Sequence, residues 1–231
     1  TISKLYSTGH IRLKGQLLKG KFNGLKVEYR DNGHKRREKQ YKHGIIDGLE
    51  TWWYADGQRD FERNWKDGKM DGPSVSWYEN GVLEKESFYE DGILTNSKFY
   101  NENGELKKEK IYESDVLVGL KNYCHYKNGA LEKEDFHKDD HLVYRKFYNE
   151  NGELEKVRLY EDDILVNSRI YNKNGQIKSE SFYPGGIHVE SKFYDEYGTL
   201  EKEQTYEGGV LVEIRTYFKN GDLKSKQPML N

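Results

Sequence analysis

The sequence of 231 residues predicts an all-β chain: an elongated, open antiparallel meander of about nine stacked β-hairpin repeats, forming a single curled sheet. Three observations predict it. The octapeptide FYNENGEL stands at residues 99–106 and again at 147–154, inside a 21-residue echo identical at 14 positions. Glycines in a turn setting recur every 23 to 25 residues, from Gly9, Gly33 and Gly57 to Gly198 and Gly221. Between them lie short runs rich in Tyr, Phe, Ile and Val with no sustained helical period, which is strand chemistry.

The elements follow from the turns. Seven of the recurring glycines follow asparagine, and Asn-Gly predicts a type I′ hairpin turn because both central residues need positive φ. A second turn comes 11 residues later, at Gly20, Gly44, Gly68, Gly92, Asp115, Asp140, Asp163, Gly186 and Gly209. Each unit is therefore turn, strand, turn, strand, and the 48-residue echo is two units. The three prolines are expected outside strand interiors, with Pro73 and Pro184 at turns and Pro228 at the C-terminal edge. About 18 strands result, in one repeat domain over 1–231, divided into more regular units (1–92) and drifted ones (93–231). Leucine-rich repeats share the period but not the pattern, and nine units do not divide into propeller blades.

Composition bounds the function. Only 34% of residues are apolar and another 34% are charged, so the fold must be thin, with most residues near water. The formal charge of −2 hides an asymmetry: residues 1–72 hold 16 Lys and Arg against 10 Asp and Glu, and the remainder 22 against 30. Cys124 is alone, which excludes an internal disulfide and a cysteine-based zinc site. No apolar stretch is long enough for a membrane-spanning helix. A cytoplasmic setting is favoured, and Thr1 in place of Met fits a processed or trimmed end.

Two segments carry a family resemblance. YKHGIIDGLETWWYADGQ (41–58) and WKDGKMDGPSVSWYENGVL (65–83) resemble MORN-type repeats in their bacterial YwqK-like variant. The matching residues are Tyr41, Gly44, Gly48, Trp53, Tyr54 and Gly57, and then Trp65, Gly68, Gly72, Trp77, Tyr78 and Gly81. The second glycine of the pair holds at Gly24, Gly48, Gly72 and Gly119. It is Asn96, Tyr144, Asn167, Glu190 and Glu213 elsewhere, where the following segment is also one residue shorter. The resemblance implies a non-enzymatic interaction scaffold, with antitoxin-like members and others linked to phosphoinositides.

No residue pattern points to catalysis. His137 and His141 have a zinc-like spacing but bracket a turn and lack a helix. The recurring Glu38, Glu62, Glu86, Glu109, Glu134, Glu180 and Glu203 read as cross-strand partners of Lys and Arg. No cofactor or metal is expected. The candidate site is an aromatic and basic cluster for a protein partner: Trp52, Trp53, Trp65 and Trp77 with Arg36, Arg37, Arg59, Arg63, Lys66 and Lys69. Adjacent Trp52 and Trp53 must point to opposite faces of their strand. The partner is unidentified, with a toxin as one option. The alternative is peripheral binding to anionic phospholipid through the basic, Trp-rich repeats. A homodimer through terminal strands is possible, and nucleic acid is disfavoured because acidic residues are mixed throughout.

Overall fold

The computed structural model describes residues 1–229, and its regular structure is twenty strands and one short 3-10 turn. The all-β antiparallel meander expected from the turns is what forms: consecutive strands pair antiparallel from β1 to β10 and again from β11 to β20. Contacts divide the chain into two units, residues 1–118 and 119–231. The first holds β1 (Ile2–Leu5), β2 (Ile11–Leu18), β3 (Lys21–Tyr29), β4 (Lys35–Lys42) and β5 (Ile45–Trp53). It continues with β6 (Arg59–Lys66), β7 (Lys69–Trp77), β8 (Leu83–Glu90), β9 (Ile93–Tyr100) and β10 (Leu106–Glu113). The division falls within β11 (Val116–His125). The second unit contains β12 (Leu131–Lys138), β13 (His141–Tyr148), β14 (Leu154–Glu161), β15 (Ile164–Tyr171) and β16 (Ile177–Phe182). After the 3-10 turn Pro184–Gly186 come β17 (Glu190–Tyr194), β18 (Leu200–Glu207), β19 (Val210–Tyr217) and β20 (Leu223–Pro228). Twenty strands form rather than eighteen because β1 and β20, outside the outermost turns, also pair.

The two turn types exchange the roles the sequence suggests. At the Asn-Gly turns only the glycine has positive φ, as at Gly33 (84°) and Gly81 (82°), and no asparagine does among the described residues. Gly33 N donates to Arg30 O at 3.0 Å and Arg30 N to His34 O at 2.8 Å, which is a three-residue loop ending in a left-handed glycine. The asparagine is used for its side chain. Asn32 Oδ1 accepts from His34 N, Asn80 Oδ1 from Val82 N, and Asn128 Oδ1 from Ala130 N, at 2.9–3.1 Å. The type I′ pattern belongs to the second turns, where both residues have positive φ: Asp67–Gly68 at 47° and 87°, Asp162–Asp163 at 49° and 64°.

Both edges tie one repeat to the next. At the first-turn edge the Tyr6 hydroxyl donates to Tyr29 O at 2.7 Å, Tyr54 to Trp77 O at 2.5 Å, and Tyr78 to Tyr100 O at 2.8 Å. Tyr126 repeats the contact to Tyr148 O within the second unit. At the opposite edge Gly44 N reaches back to Phe22 O, Gly68 N to Ile46 O and Gly92 N to Met70 O, at 2.7–2.9 Å. Hydrocarbon burial adds little, since Val27 and Val157 are the buried apolar side chains among the described residues. Ring contacts fall mostly within hairpins, such as Trp52 with Phe61 and Phe136 with Tyr144. Main-chain ladders and these edge bonds, rather than stacked rings alone, join the copies.

The second glycine marks a bulge. Lys39 pairs with Glu50 and Tyr41 with Ile46, so Gln40 faces the three residues Asp47, Gly48 and Leu49. Gly48 sits at the centre with φ 112°, and a Cβ there would lie 2.9 Å from Gln40 Cγ. In the shorter repeats the excess falls to one residue: Phe88 pairs with Asn96 and Tyr89 with Leu94, leaving Thr95 unpaired, and Asn96 has no positive φ. Loss of the glycine and loss of one residue are thus a single change. Pro73 does not sit at a turn. It lies inside β7, in the same kind of bulge, where Asp71, Gly72 and Pro73 face Asn64 of β6, a position at which proline is tolerated within a sheet.

Two outcomes follow from these geometries. Gly48→Ala should cost about 1–3 kcal/mol, the range for forcing a Cβ into such a backbone, whereas Asn96→Ala should cost less than about 1 kcal/mol; urea denaturation compares them. The Tyr100 pKa is pushed up to about 12 by burial and by its hydrogen bond to Glu86, 2.8 Å away. An unfolded tyrosine loses its proton near pH 10, so stability should fall as pH rises from about 10 to 12. Tyr100→Phe should flatten that part of the curve in alkaline thermal melts.

Candidate functional site

Register in the first unit builds one face around Glu50. Counting across the strands, Lys26 stands beside Lys39, Lys39 beside Glu50, Glu50 beside Arg63, Arg63 beside Ser74, Ser74 beside Ser87, and Ser87 beside Ser97. This middle row is polar throughout, yet Glu50, Ser87 and Ser97 are buried. Aromatic rings lie two residues to either side, Trp52, Phe61 and Phe99 along one flank and Trp65 and Tyr89 along the other. The second unit repeats the polar row as Asn122, Asp135, Arg145, Arg158, Ser168, Ser181, Ser191 and Gln204. There Arg145 grips Asp135 through two bonds of 2.7 and 2.8 Å.

The row is stable because each polar group meets a partner across the strand. Glu50, 2% exposed, accepts from Trp52 Nε1 at 2.7 Å and from Trp65 Nε1 at 2.9 Å. Lys39 Nζ is 3.1 Å from one carboxylate oxygen and Arg63 Nε is 4.0 Å from the other. Glu28 is held below the usual carboxylate range: burial opposes this, but Lys26 at 2.7 Å and Arg37 at 2.6 Å outweigh it. Arg37 also lies 4.7 Å from the Trp52 ring and Arg63 4.3 Å from the Phe61 ring, both within cation–π range. A shallow groove of about 230 Å³ opens on this face, lined by Phe61, Arg63, Met70, Ser74, Val75, Ser76, Lys85, Ser87 and Tyr89.

The ten candidate residues fall into three places. Arg37, Trp52, Arg63 and Trp65 share the Glu50 face, and Arg36, at a bulge, comes 6.0 Å from the Trp52 ring. Trp53, Arg59 and Trp77 belong to the opposite, Thr51 face near the first-turn edge, as the alternation of Trp52 and Trp53 requires. There Lys35 Nζ sits 5.2 Å over the Trp53 ring, and Arg59 pairs with Glu62 at 3.3 Å. Lys66 and Lys69 stand across the second turn from each other, tied to Asp71 at 3.8 Å and Asp91 at 2.9 Å. The candidates therefore do not form one patch. Sequence reading missed Glu50, Lys39, Phe61, Ser74, Ser76 and Lys85. Period-2 counting from Trp52, with the register fixed by each turn, was the signal that would have found them.

The opposite face carries the recurring glutamates. In the first unit Glu38 pairs with Lys35 at 2.7 Å and Glu86 accepts the Tyr100 hydroxyl; within the second unit Glu180 pairs with Arg169 at 2.6 Å. His141 bonds Asp163 at 2.9 Å, which raises its pKa, and His137 pairs with Leu142 without joining them. Among the described residues no three His, Cys, Asp or Glu side chains converge as metal ligands.

Removing the Glu50 carboxylate should be severe, because Lys39 and two indole N–H groups lose their acceptor and Arg63 loses its nearest counter-charge. Glu50→Leu should cost about 3–5 kcal/mol, the range for breaking a buried pair from one side. Glu50→Gln, which keeps an acceptor oxygen, should cost less. Tryptophan-fluorescence denaturation curves distinguish the two.

Among solved structures the chain is similar to accessory secretory protein 1, 2 and 3 of Streptococcus pneumoniae: 10% identity, 42% of this chain, 18% of that chain, TM-score 0.32. It is similar also to the GtfA/B complex (16% identity, 46% and 19% coverage, TM-score 0.23) and to TcdB2-TccC3-Cdc42 (10%, 95% and 14%, TM-score 0.28). The chain spans less than a fifth of each of those chains, and likenesses this weak carry no argument about activity. No curated protein sequence matches it. Residues 46–67, 70–91, 96–114 and 167–183 match the profile of the MORN repeat variant, which supports reading the chain as a MORN-type repeat protein.

Proposed function

We propose that this chain is a non-enzymatic scaffold that docks a protein partner on the Glu50 face of residues 1–118. MORN repeats are commonly protein- or membrane-binding scaffolds. The observation that carries the protein reading is the groove at Phe61, Arg63 and Tyr89. It combines aromatic walls with half-buried cations, the residue types that dominate interface energetics. The finer form, neutralisation of a toxin, rests on the resemblance of residues 41–58 and 65–83 to antitoxin-like proteins.

Binding to anionic phospholipid is the second reading, favoured by the excess of Lys and Arg over Glu on this face. Its cations are sunk, however: the side chains of Lys26, Arg37 and Lys39 are 15–23% exposed, and all three already neutralise Glu28 or Glu50. A flat headgroup layer reaches such groups poorly, whereas a narrow polypeptide segment enters the groove.

A photo-crosslinking residue tests the face. p-Benzoylphenylalanine at Phe61 should yield a discrete protein adduct in cell extract. The same group at Phe88, which lies exposed on the Thr51 face, should yield none. Equal labelling from both positions, or labelling from Phe88 alone, would remove the Glu50 face as the docking surface.

A further inference from the structure

The groove also indicates what the partner presents to it. β6, β7 and β8 lie side by side, with Arg63 beside Ser74 and Ser76 beside Lys85. Adjacent strands are about 4.8 Å apart, so the strands bearing the two cations are separated by about 10 Å. Between the two cations the intervening strand offers the short side chains of Ser74 and Ser76 to this face, with Met70 further along it. A gap thus remains over β7, with a guanidinium on one side and an ammonium on the other.

The charges around the gap are unevenly matched. Arg63 Nε is buried with no hydrogen-bond acceptor among the described residues, and its one carboxylate neighbour, Glu50 at 4.0 Å, is shared with Lys39. Ser76 Oγ donates to Glu84 at 3.0 Å, which places one carboxylate at the groove's margin. Lys85 Nζ lies 5.2 Å from the Phe99 ring, a contact that holds the ammonium without neutralising it. Ser87 is occupied with Ser97 at 2.8 Å. Phe61, Met70 and Tyr89 supply apolar walls on which the methylenes of a ligand side chain can pack.

Resting on the protein-docking reading, we infer that the groove over β7 is a subsite for an acidic peptide segment of the partner. A Glu or Asp carboxylate of that segment sits between Arg63 and Lys85 above Ser74. Arginine offers the carboxylate a forked pair of donors, and the ammonium adds a second charge-assisted bond from the other side. The aromatic walls exclude water from both. A phosphoryl group on a membrane shares the charge but not the fit, because it must descend from a planar surface between ring walls.

The full chain is titrated with fluorescein-labelled hexaglutamate, with hexalysine, and with phosphatidylserine vesicles, at 50 and 500 mM NaCl. Hexaglutamate should bind at low salt and be released at high salt. Lys85→Gln should weaken it about tenfold, and adding Arg63→Gln should abolish it. Lys98→Gln, on the other face between Glu86 and Glu109, should leave binding unchanged. Circular dichroism checks that Lys85→Gln, which disturbs no buried pair, keeps the fold. Binding that ignores Lys85→Gln, equal binding of hexalysine, or capture of vesicles without peptide would overturn the subsite. If hexaglutamate fails while the Phe61 adduct forms, the acidic chemistry falls and the docking face stands; if both fail, the docking reading falls with it.

Discussion

A sheet row buried between neighbouring strands has only its cross-strand partners to satisfy it, and that constraint organises both units. Among the described residues, neither unit has a second layer of its own to supply carbonyls, hydroxyls or counter-ions from above. The middle row is polar in nearly every strand, so each residue must find its complement one strand away. Glu50 shows the arithmetic of such a position: two indole N–H groups, one ammonium and one nearby guanidinium surround a carboxylate that is almost wholly buried. Isolated, that charge would be prohibitive to bury. Surrounded, it fixes the orientation of Trp65 and of Trp52, whose ring stacks on Phe61 in the wall of the groove.

The same constraint explains the division of labour between the faces. Side chains alternate between the bulges, so most cations of the middle row and the recurring glutamates fall on opposite faces, while a bulge such as the one at Asp60 resets the parity and sends Arg59 to the face opposite Arg63. On the Thr51 face of the first unit the glutamates meet Lys, Arg and a tyrosine hydroxyl. On the Glu50 face the cations outnumber the carboxylates, and two of them, Arg63 and Lys85, flank the short side chains Ser74 and Ser76 of β7. The near-neutral total charge conceals this, because it is a sum over both parities.

Much of the fold was legible because turns punctuate it so regularly. The period, the antiparallel order, and the opposed directions of Trp52 and Trp53 all follow from glycine spacing and period-2 alternation. The assignment of turn types was not legible. Asn-Gly satisfies either a two-residue turn with both φ positive or a loop in which Asn uses its side-chain oxygen, and only the backbone at Asn32 and Gly33 decides. Pro73 misled for a related reason: proline signals a turn, yet a bulge also dispenses with its N–H. The candidate site was half legible. Tryptophans announce themselves by type, whereas Glu50, Ser74 and Lys85 become informative only when register shows what stands beside them. Proximity in sequence grouped Arg59, Lys66 and Lys69 with Arg63, although the strand and its turn send them to a different face or edge.

The bulge at the second glycine carries a consequence for how such a chain diverges. A copy that loses the glycine while keeping its extra residue must strain the backbone, and one that drops the residue while keeping the glycine gains nothing from it. The loss of the glycine and the loss of the residue therefore belong together, since a copy carrying one without the other holds a strained or an idle position. Copies with and without the glycine keep separate spacings from the second turn to the next first turn: 12 residues without it, 13 or 14 with it.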